Sequence, residues 1–407
     1  SNRTYGHLVF ESTAGNWSRT ITGTNPTSCT SLNIHSNVML INNLSNSMTI
    51  RGDMILNGSL VNGSGIQKII LAGLAGNIQG SSLNNFCDTL VIQTGSNYTQ
   101  LNNILTSPGA TVNISGTLDF QNNYINANNN GSNFILNAGA TLVTANELGI
   151  KGSVKGFGNM NFSSEANYVY TGSLLQSSGL YNDTVGNLTI NKTNDHVLLD
   201  KDIHIEATMF LQKGKLITGS HTLFSNDPLN NGIIGASDSS FISGNLCLKI
   251  PQADSINVHF PIGENYYNPV SFLNLKNTDT TLFSVFMKEI IPNGSADIVS
   301  LTETMTDRFW NMKVIGDNHI SDLGTIKLRP YSPIPVLSDS SAIGVSLNDS
   351  AFSYHGIGGE VDSLGICASA PLNLCQLSSL TAIQGLFIGI AKKKDNEGVY
   401  TDAYCSS

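Results

Sequence analysis

Short phrases of similar shape recur along the first half of the chain, and they constrain its fold more than any other feature. GATVNISGTLDF at residues 109–120 is echoed by GATLVTANELGI at residues 139–150. GSLVNGSG at 58–65 and GKLITGSHTLF at 214–224 share a small residue, an apolar pair and a polar turn. Recurrence at roughly 20–30 residues is typical of solenoids, whose coils stack on one another. It predicts a right-handed parallel β-helix over residues 1–240.

The residues inside these phrases alternate between apolar and polar types. A period of two that is rich in Ile, Val, Leu and Thr indicates β-strands, and Gly-Ser, Asn-Gly and Asn-Asn pairs indicate the turns between them. Strands are predicted on this basis at Met48–Leu56, Thr89–Gln93, Ala110–Phe120, Asn133–Val143 and Asn187–Ile190. No stretch shows a helical period over ten residues, so this part of the chain is predicted to be all-β.

The polarity of the chain comes from amides and hydroxyls rather than from charge. Charged residues are only 12% of the 407, about half the usual globular share of roughly 25%, whereas 48 residues are Asn. Asn tolerates a left-handed backbone, and its amide can hydrogen-bond to the same position one coil further along. Ladders of this kind explain how the predicted solenoid presents a polar surface with few charges.

Composition also excludes several classes of protein. A hydrophobic share of 40% supports a folded core and argues against disorder. The net charge of −9, with no basic cluster larger than Lys392–Lys394, argues against a nucleic-acid partner. No apolar run approaches the roughly 18 residues of a membrane span.

Residues 241–407 carry a different pattern, which predicts a β-sandwich that caps the solenoid or mediates assembly. Seven short runs separated by turn residues suit two packed sheets, with Phe309 and Trp310 in the core. A cap is expected because an open solenoid end exposes unpaired strand edges. The seven runs are Ile256–Phe260, Val270–Leu275, Leu282–Met287, Phe309–Val314, Thr325–Leu328, Ala342–Leu347 and Gly385–Ala391.

The six cysteines show no CxxC pair and no spacing typical of zinc sites. An even number without metal spacing predicts disulfides and an oxidising compartment, and six free buried thiols are the alternative. Cys367 and Cys375, on either side of Pro371, form the favoured pair. The start at Ser1 without a basic-then-apolar leader is interpreted as a mature or trimmed chain, and we expect a secreted, extracellular or cell-surface protein. The disulfide candidates are Cys29, Cys87, Cys247, Cys367, Cys375 and Cys405.

An aromatic-Ser-Ser-x-Ala-x-Tyr-x-Tyr-x-Gly line runs through residues 157–224 and is followed by Gln, by Asn-Leu-x-Ile-Asn and by a Gly-x-Leu turn. This pattern resembles a module that is common in large secreted surface proteins of Bacteroidota. SFISGNLCLKI at 240–250 and HFPIGENYYNPVSF at 259–272 are similar to the segment that closes such β-helical stretches, and DRFWNMKV at 307–314 is similar to the Trp-bearing strand beyond it. The resemblance implies an adhesin-like or structural protein exported by the type IX route, although the usual C-terminal sorting domain has no clear match. The residues that carry the module pattern are Phe162, Ala166, Tyr168, Tyr170, Gly172, Gln176, Asn187, Leu188, Ile190, Asn191, Gly214 and Leu216.

Many β-helical proteins cleave polysaccharides, which requires a base beside a carboxylate or two carboxylates around the scissile bond. Residues 1–150 contain only five acidic and four basic residues, too few to form such a cluster readily. We therefore predict no enzyme activity, no catalytic residues and no cofactor.

The densest ionisable cluster follows residue 194. Asp200, Asp202, His204 and Glu206 would share one face of a strand, and Asp200, Asp202 and Glu206 could present oxygen ligands to Ca²⁺. The favoured interpretation is an ordinary solvated strand face, because the opposite face carries a good core set. That set is Leu199, Ile203, Ile205 and Ala207.

Two further motifs have a functional and a structural interpretation. Arg51-Gly52-Asp53 is a tripeptide that some cell-surface receptors bind, but within MTIRGDMIL it fits a coil or a turn better. Tyr266 and Tyr267 with Trp310 could form a sugar-binding platform, although aromatic residues of a sandwich usually belong to its core.

These observations predict a non-enzymatic structural or adhesin-like extracellular protein, a rigid β-helical rod for display, attachment or self-assembly. Self-association and contacts with other surface proteins or glycans are the expected interactions. Two alternatives remain: a subunit of an extracellular filament or surface layer, and a polysaccharide-binding or polysaccharide-degrading protein.

Overall fold

Strands make up 57% of the chain in the computed structural model and helix only 1%, which confirms the all-β fold class. No helix in the described part of the chain is long and apolar enough to cross a membrane. The chain divides into two compact units, Ser1–Asp200 and Lys201–Ser407. The structure describes residues 3–63, 67–128, 131–227, 232–289, 295–296, 301–303, 308–329, 341–346, 353–356, 360–361, 367–368 and 386–393.

The described residues of the first unit form short strands and one helical turn, α1 (Ile150–Ser153). Its strands are β1 (Arg3–Phe10), β2 (Trp17–Gly23), β3 (Thr27–Ile34), β4 (Val38–Leu44), β5 (Met48–Ile50), β6 (Met54–Leu56), β7 (Ser59–Asn62), β8 (Lys68–Leu71), β9 (Gly76–Gln79), β10 (Thr89–Ile92), β11 (Asn97–Gln100), β12 (Ile104–Leu105), β13 (Thr111–Ile114), β14 (Thr117–Asp119), β15 (Ile125–Asn126), β16 (Asn133–Leu136), β17 (Thr141–Thr144), β18 (Val154–Lys155), β19 (Asn159–Phe162), β20 (Asn167–Tyr170), β21 (Gln176–Ser177), β22 (Thr184–Val185), β23 (Leu188–Asn191) and β24 (Val197–Leu198).

Parallel pairing between strands one coil apart builds the predicted solenoid, which has about 11 turns. Leu90, for example, pairs with Ile69 on one side and with Val112 on the other, so a coil there is 21 or 22 residues long. We call β5, β8, β10, β13, β16 and β19 the first column, and β6, β9, β11, β14, β17, β20 and β23 the second column. Shorter stacks, β2–β4–β7 and β12–β15–β18, lie in separate sheets of the coil.

Inward-pointing side chains of successive coils stack into apolar ladders. The first column carries Ile50, Leu71, Ile92, Ile114 and Leu136 at paired positions, and each is at most 1% exposed. Burying a side chain of this size contributes roughly 1.5–3 kcal/mol. Alternation of these residues with outward polar ones is what made the strands predictable.

The two echoed phrases do not stack on each other. Thr111 of the first phrase pairs with Asn133 in the first column, whereas Thr141 of the second lies in the second column. Each phrase instead begins with the same turn, in which Gly109 and Gly139 have φ of 75° and 73°. The shared sequence therefore encodes the turn that leads into a strand. The spacing between the two phrases does not give the coil length, which is given by the pairing register.

The second unit begins with parallel strands and continues with antiparallel ones. Its strands are β25 (Ile203–Ile205), β26 (Met209–Lys213), β27 (Leu216–Ser225), β28 (Ile233–Ile234), β29 (Ile242–Ile250), β30 (Ala253–Phe260), β31 (Ile262–Gly263), β32 (Val270–Asn277), β33 (Thr281–Lys288), β34 (Ser295–Ala296), β35 (Leu301–Glu303), β36 (Phe309–Ile315), β37 (Ile320–Asp322), β38 (Thr325–Leu328), β39 (Ser341–Ser346), β40 (Ser353–Gly356), β41 (Glu360–Val361), β42 (Cys367–Ala368) and β43 (Leu386–Lys393).

Strand β29 is where the pairing changes. It pairs in parallel with β27 and β31 and in antiparallel fashion with β33. The predicted domain boundary at residue 240 lies just before this strand, while the compact units divide at residue 200.

Beyond β29 the strands form two sheets, β29–β33–β36–β43–β39–β40 and β30–β32–β38–β42–β41. Phe260 and Phe272 of one sheet contact Phe283 of the other edge-to-face, with ring centroids 5.6 and 5.2 Å away. Trp310 of β36 is also fully buried. A C-terminal β-sandwich is thus confirmed, and each of the seven predicted runs overlaps an observed strand.

Candidate functional surface

The outward face of the first column carries a hydrogen-bonded chain of polar side chains, which we call the amide ladder: Thr111, Asn133 and Asn159. They occupy paired positions in three successive coils. The Asn133 Nδ2 donates to Thr111 Oγ1 at 3.3 Å, and Asn159 Nδ2 donates to Asn133 Oδ1 at 3.0 Å. All three are half-buried or exposed. The ladder is a neutral surface with amide groups at its outer edge.

Other outward asparagines of this unit make the same kind of contact between coils, which confirms the role predicted for Asn. The Nδ2 of Asn137 donates to Asn113 Oδ1 at 2.6 Å, and that of Asn187 donates to Asn167 Oδ1 at 2.7 Å. A hydrogen bond from an amide to a carboxylate also links two coils, since Asn62 Nδ2 donates to Asp88 Oδ1 at 2.5 Å.

Asp200, the first of the predicted calcium ligands, is held by residues of its own unit. Its carboxylate forms an ion pair with Lys151 Nζ at 2.8 Å and accepts a hydrogen bond from Ser178 Oγ at 2.5 Å. Burial on its own would raise the pKa of Asp200, but the hydrogen bonds from Lys151 and Ser178 and the lysine charge outweigh it and lower the pKa. This carboxylate therefore has a structural partner on each oxygen.

Asp202 and Glu206 likewise bond to the coil that follows them. Asp202 Oδ1 accepts from the Thr222 main-chain N–H at 2.8 Å, and Glu206 Oε2 accepts from Asn226 Nδ2 at 2.7 Å. Within the described residues, no group of three or more His, Cys, Asp or Glu is arranged to hold a metal ion. Each of these carboxylates accepts a hydrogen bond from a different residue, and the weak calcium candidate of Asp200, Asp202 and Glu206 stays a prediction.

The apolar residues predicted around β25 are buried at all but one position. Ile203 and Ile205 are fully buried and Leu199 is 3% exposed, whereas Ala207 is exposed because the strand ends at Ile205. The ring of His204 stacks on Phe224 of the next coil, with centroids 4.3 Å apart. Asp202 and Glu206, on the outward side of this strand, are exposed.

The Arg51-Gly52-Asp53 tripeptide forms the corner between β5 and β6. Asp53 Oδ1 accepts hydrogen bonds from the main-chain and side-chain N–H groups of Asn77, at 2.8 and 3.1 Å. Gly52 lies so close to Thr30 that an added Cβ would be 2.8 Å from its carbonyl oxygen. These contacts fix the tripeptide flat against its neighbouring coils, as the predicted turn requires.

The predicted aromatic platform is not assembled on the surface. Trp310 is fully buried and its Nε1 donates to Asn268 O at 2.8 Å. Tyr267 is 7% exposed, whereas Tyr266 is 40% exposed. Two of the three rings therefore belong to the core of the second unit.

The disulfides predicted for three of the cysteines are not formed. Cys29, Cys87 and Cys247 are free and buried. Burial raises the pKa of Cys29 to about 11 and that of Cys247 to about 12. Cys375 and Cys405, and the side chain of Cys367, lie outside the described residues, so the favoured pair stays a prediction.

Lys192 is a buried cation that the sequence analysis missed. It is 1% exposed, and its Nζ donates to Thr171 O at 2.8 Å and to Gln176 Oε1 at 2.9 Å. Gln176 is fully buried and its Nε2 donates to Thr144 O at 3.1 Å. The alternation of β23 could have revealed that Lys192 is buried, because Lys192 continues the inward series begun by Leu188 and Ile190.

Comparisons with protein-family models, with curated proteins and with solved structures find no match to this chain. The resemblance to Bacteroidota surface modules therefore stays a prediction. Three residues of that module pattern, Tyr168, Tyr170 and Gln176, are fully buried, and Tyr170 Oη donates to Ser178 O at 2.6 Å. These three side chains lie in the interior of the first unit.

Proposed function

We propose that this chain is a non-enzymatic extracellular structural or adhesin-like protein. Its solenoid serves as a stiff scaffold, and the neutral polar faces of the coils attach to glycans or to neighbouring surfaces. A secreted or cell-surface location, with export by the type IX route, is part of the proposal and rests on the sequence resemblance.

The observation that carries the proposal is the amide ladder. Thr111, Asn133 and Asn159 repeat one polar contact across three coils, at the spacing of the strands beneath them. Neighbouring strands lie roughly 4.8 Å apart, so the ladder offers donors and acceptors in a regular row. Sugar hydroxyls can bond to such a row without desolvating a charge, which is costly.

Backbone pairing supports the scaffold role. Each strand of the first column from β5 to β16 pairs in parallel with a strand of the coil before it and with a strand of the coil after it. Each repeat of a solenoid gains its stability from these neighbouring interfaces. Tension along the chain is therefore resisted by many hydrogen bonds that lie side by side.

The test is retention of the full chain on a panel of immobilised neutral and acidic polysaccharides. The variant Asn133→Asp with Asn159→Asp places two like charges on adjacent coils of the ladder. Asn194→Asp, at an exposed residue away from the ladder, is the matched control for added charge. We expect the wild type and the control to be retained on at least one neutral polysaccharide, and the double variant to be retained at least about tenfold less, a difference of about 1.4 kcal/mol.

An assay for reducing ends and unsaturated sugars on the same polysaccharides separates this function from the degrading alternative. The account predicts no products. Product formation that grows with protein concentration, or retention that is equal in the double variant and the wild type, would contradict the proposal.

A further inference from the structure

Four leucines on three successive coils of the first unit are exposed, and we call them the leucine patch: Leu148, Leu174, Leu175 and Leu198. Each is between 39% and 67% exposed. Removing aliphatic groups of this size from water is favourable. A contiguous exposed apolar patch commonly marks an interaction site, whereas apolar residues exposed singly do not.

Main-chain contacts bring the patch together. Ser177 N donates to Glu147 O of the coil before it at 2.8 Å, and Ser177 pairs with Leu198 of the coil after it. Leu148 follows Glu147 directly, and Leu175 lies two residues before Ser177 on the same outward side of the chain. Leu148 and Leu198 therefore lie on either side of Ser177, each roughly one strand spacing of 4.8 Å along the stack of coils.

The chemistry of the patch limits what can cover it. Aliphatic side chains offer no hydrogen-bond donor or acceptor, so a glycan that docked there would lose bonds to water without replacing them. A second aliphatic surface loses no hydrogen bonds on contact. The patch is therefore best matched by another patch of the same kind.

The patch is symmetric about Ser177. A twofold axis that passes through Ser177 perpendicular to the sheet exchanges the coil before it with the coil after it. Leu148 of one copy then faces Leu198 of a second copy, and Leu198 of the first faces Leu148 of the second. The arrangement of the leucines thus favours a second copy of this chain as the occupant.

Charged residues at the edges of the patch follow the same symmetry. Lys151 lies three residues after Leu148, and Asp195 lies three residues before Leu198. The twofold axis reverses the direction of the chain, so Lys151 of one copy lies on the side of Asp195 of the other. Both side chains are at least 36% exposed. Lys151 Nζ already pairs with Asp200 of its own chain at 2.8 Å, and an ammonium group has three donors, so it can also bond to a second carboxylate.

We propose that two copies of this chain associate through the leucine patch about this twofold axis. Leu148 of each copy packs on Leu198 of the other, and Lys151 of each copy pairs with Asp195 of the other. Removal of water from the leucines of both copies drives the association. A contact in which one surface meets its own copy closes on itself and yields a dimer. The inference goes beyond the proposed function, because the patch shares no residue with the amide ladder.

Sedimentation of the full chain over a range of concentrations tests the association. Leu148→Asp and Leu198→Lys each place a charge opposite a leucine at both contacts of the dimer. We expect the wild type to dimerise, and either variant to raise the dissociation constant about tenfold or more, with circular dichroism unchanged. Leu74→Asp is the control, because Leu74 is 88% exposed in an earlier coil, and it should dimerise like the wild type.

A mixture of Leu148→Asp and Leu198→Lys chains tests the register. In a mixed dimer the introduced aspartate faces the introduced lysine at one contact, and leucine faces leucine at the other. We expect the mixture to dimerise with at least about tenfold higher affinity than either variant alone. A wild type that stays monomeric at all concentrations overturns the proposal, even if a variant fails to fold. A dimer that neither variant weakens, or a mixture that associates no better than its two components, overturns it as well.

Discussion

Lys192 and Gln176 form a buried hydrogen bond inside the first unit, with Lys192 Nζ 2.9 Å from Gln176 Oε1. The lysine is 1% exposed, so its charge is stabilised by the Gln176 amide and by the main-chain oxygen of Thr171. A carbonyl-type partner satisfies an ammonium group without a second buried charge. The pair therefore joins two neighbouring coils through the interior of the first unit.

Loss of this bond destabilises the chain. Lys192→Met leaves Gln176 Oε1 buried without its donor, and we expect the free energy of unfolding to fall by about 1–3 kcal/mol. Adding Gln176→Leu removes the orphaned acceptor, so the double variant is expected to recover part of the loss. Urea denaturation of the wild type, both single variants and the double variant measures this coupling. Additive effects of the two changes would show that the pair does not act as a unit.

The same lysine makes stability depend on alkaline pH. Burial lowers the pKa of Lys192 from its ordinary value of 10.5, although the charge of Asp195 opposes the shift. Between the lowered pKa and 10.5 the unfolded chain binds more protons than the folded chain, so stability rises with pH in that window. The free energy of unfolding of the wild type relative to Lys192→Met should increase as pH rises through it. A difference that stays constant or decreases would refute the assignment.

Gly116 is required at a corner where two main-chain oxygens crowd its α-carbon. A Cβ there would collide with the carbonyl oxygens of Gln93 and Ser96. Gly116→Ala is expected to cost about 1–3 kcal/mol of stability. Gly6→Ala, where an added Cβ meets nothing within 4 Å, is the control and should remain within about 0.5 kcal/mol of the wild type. Thermal melts compare the melting temperatures of Gly116→Ala and Gly6→Ala. Equal melting temperatures would be inconsistent with a crowded corner at Gly116.

The three buried thiols should be protected in the folded chain. Burial raises the pKa values of Cys29, Cys87 and Cys247, so almost none of each thiol is in the reactive thiolate form near neutral pH. Peptide-resolved alkylation should label all three quickly in denaturant and slowly in its absence. Rapid labelling of the folded chain, or a non-reduced digest in which any of the three is found in a disulfide, would disagree with the structure.

The positions of individual strands could be predicted from local sequence patterns. Alternation has a period of two residues, so the strand carrying Ile114 and the strand carrying Trp310 could both be inferred from a few neighbours in sequence. Hydrogen bonds between asparagines of neighbouring coils, such as that from Asn137 to Asn113, were predicted in kind, because the Asn amide both donates and accepts.

Relationships between coils were not predictable from local patterns. Thr111 and Thr141 share a phrase but lie in different columns, because the turns between strands set the register. The three carboxylates from Asp200 to Glu206 were close in sequence, but their partners Lys151, Thr222 and Asn226 lie a coil or more away. The state of a cysteine likewise depends on which side chains of other coils surround it.

The central claim is that the stacked coils form a scaffold that resists tension, and single-molecule stretching of the full chain between its ends tests it most directly. A coil of about 22 residues extends to at most about 8 nm at ~3.6 Å per residue. Because the coils depend on nearest-neighbour interfaces, we predict a series of force peaks with contour increments of about 8 nm or small multiples of it. Smooth extension without force peaks, or release of the whole solenoid in one event at low force, would contradict the account.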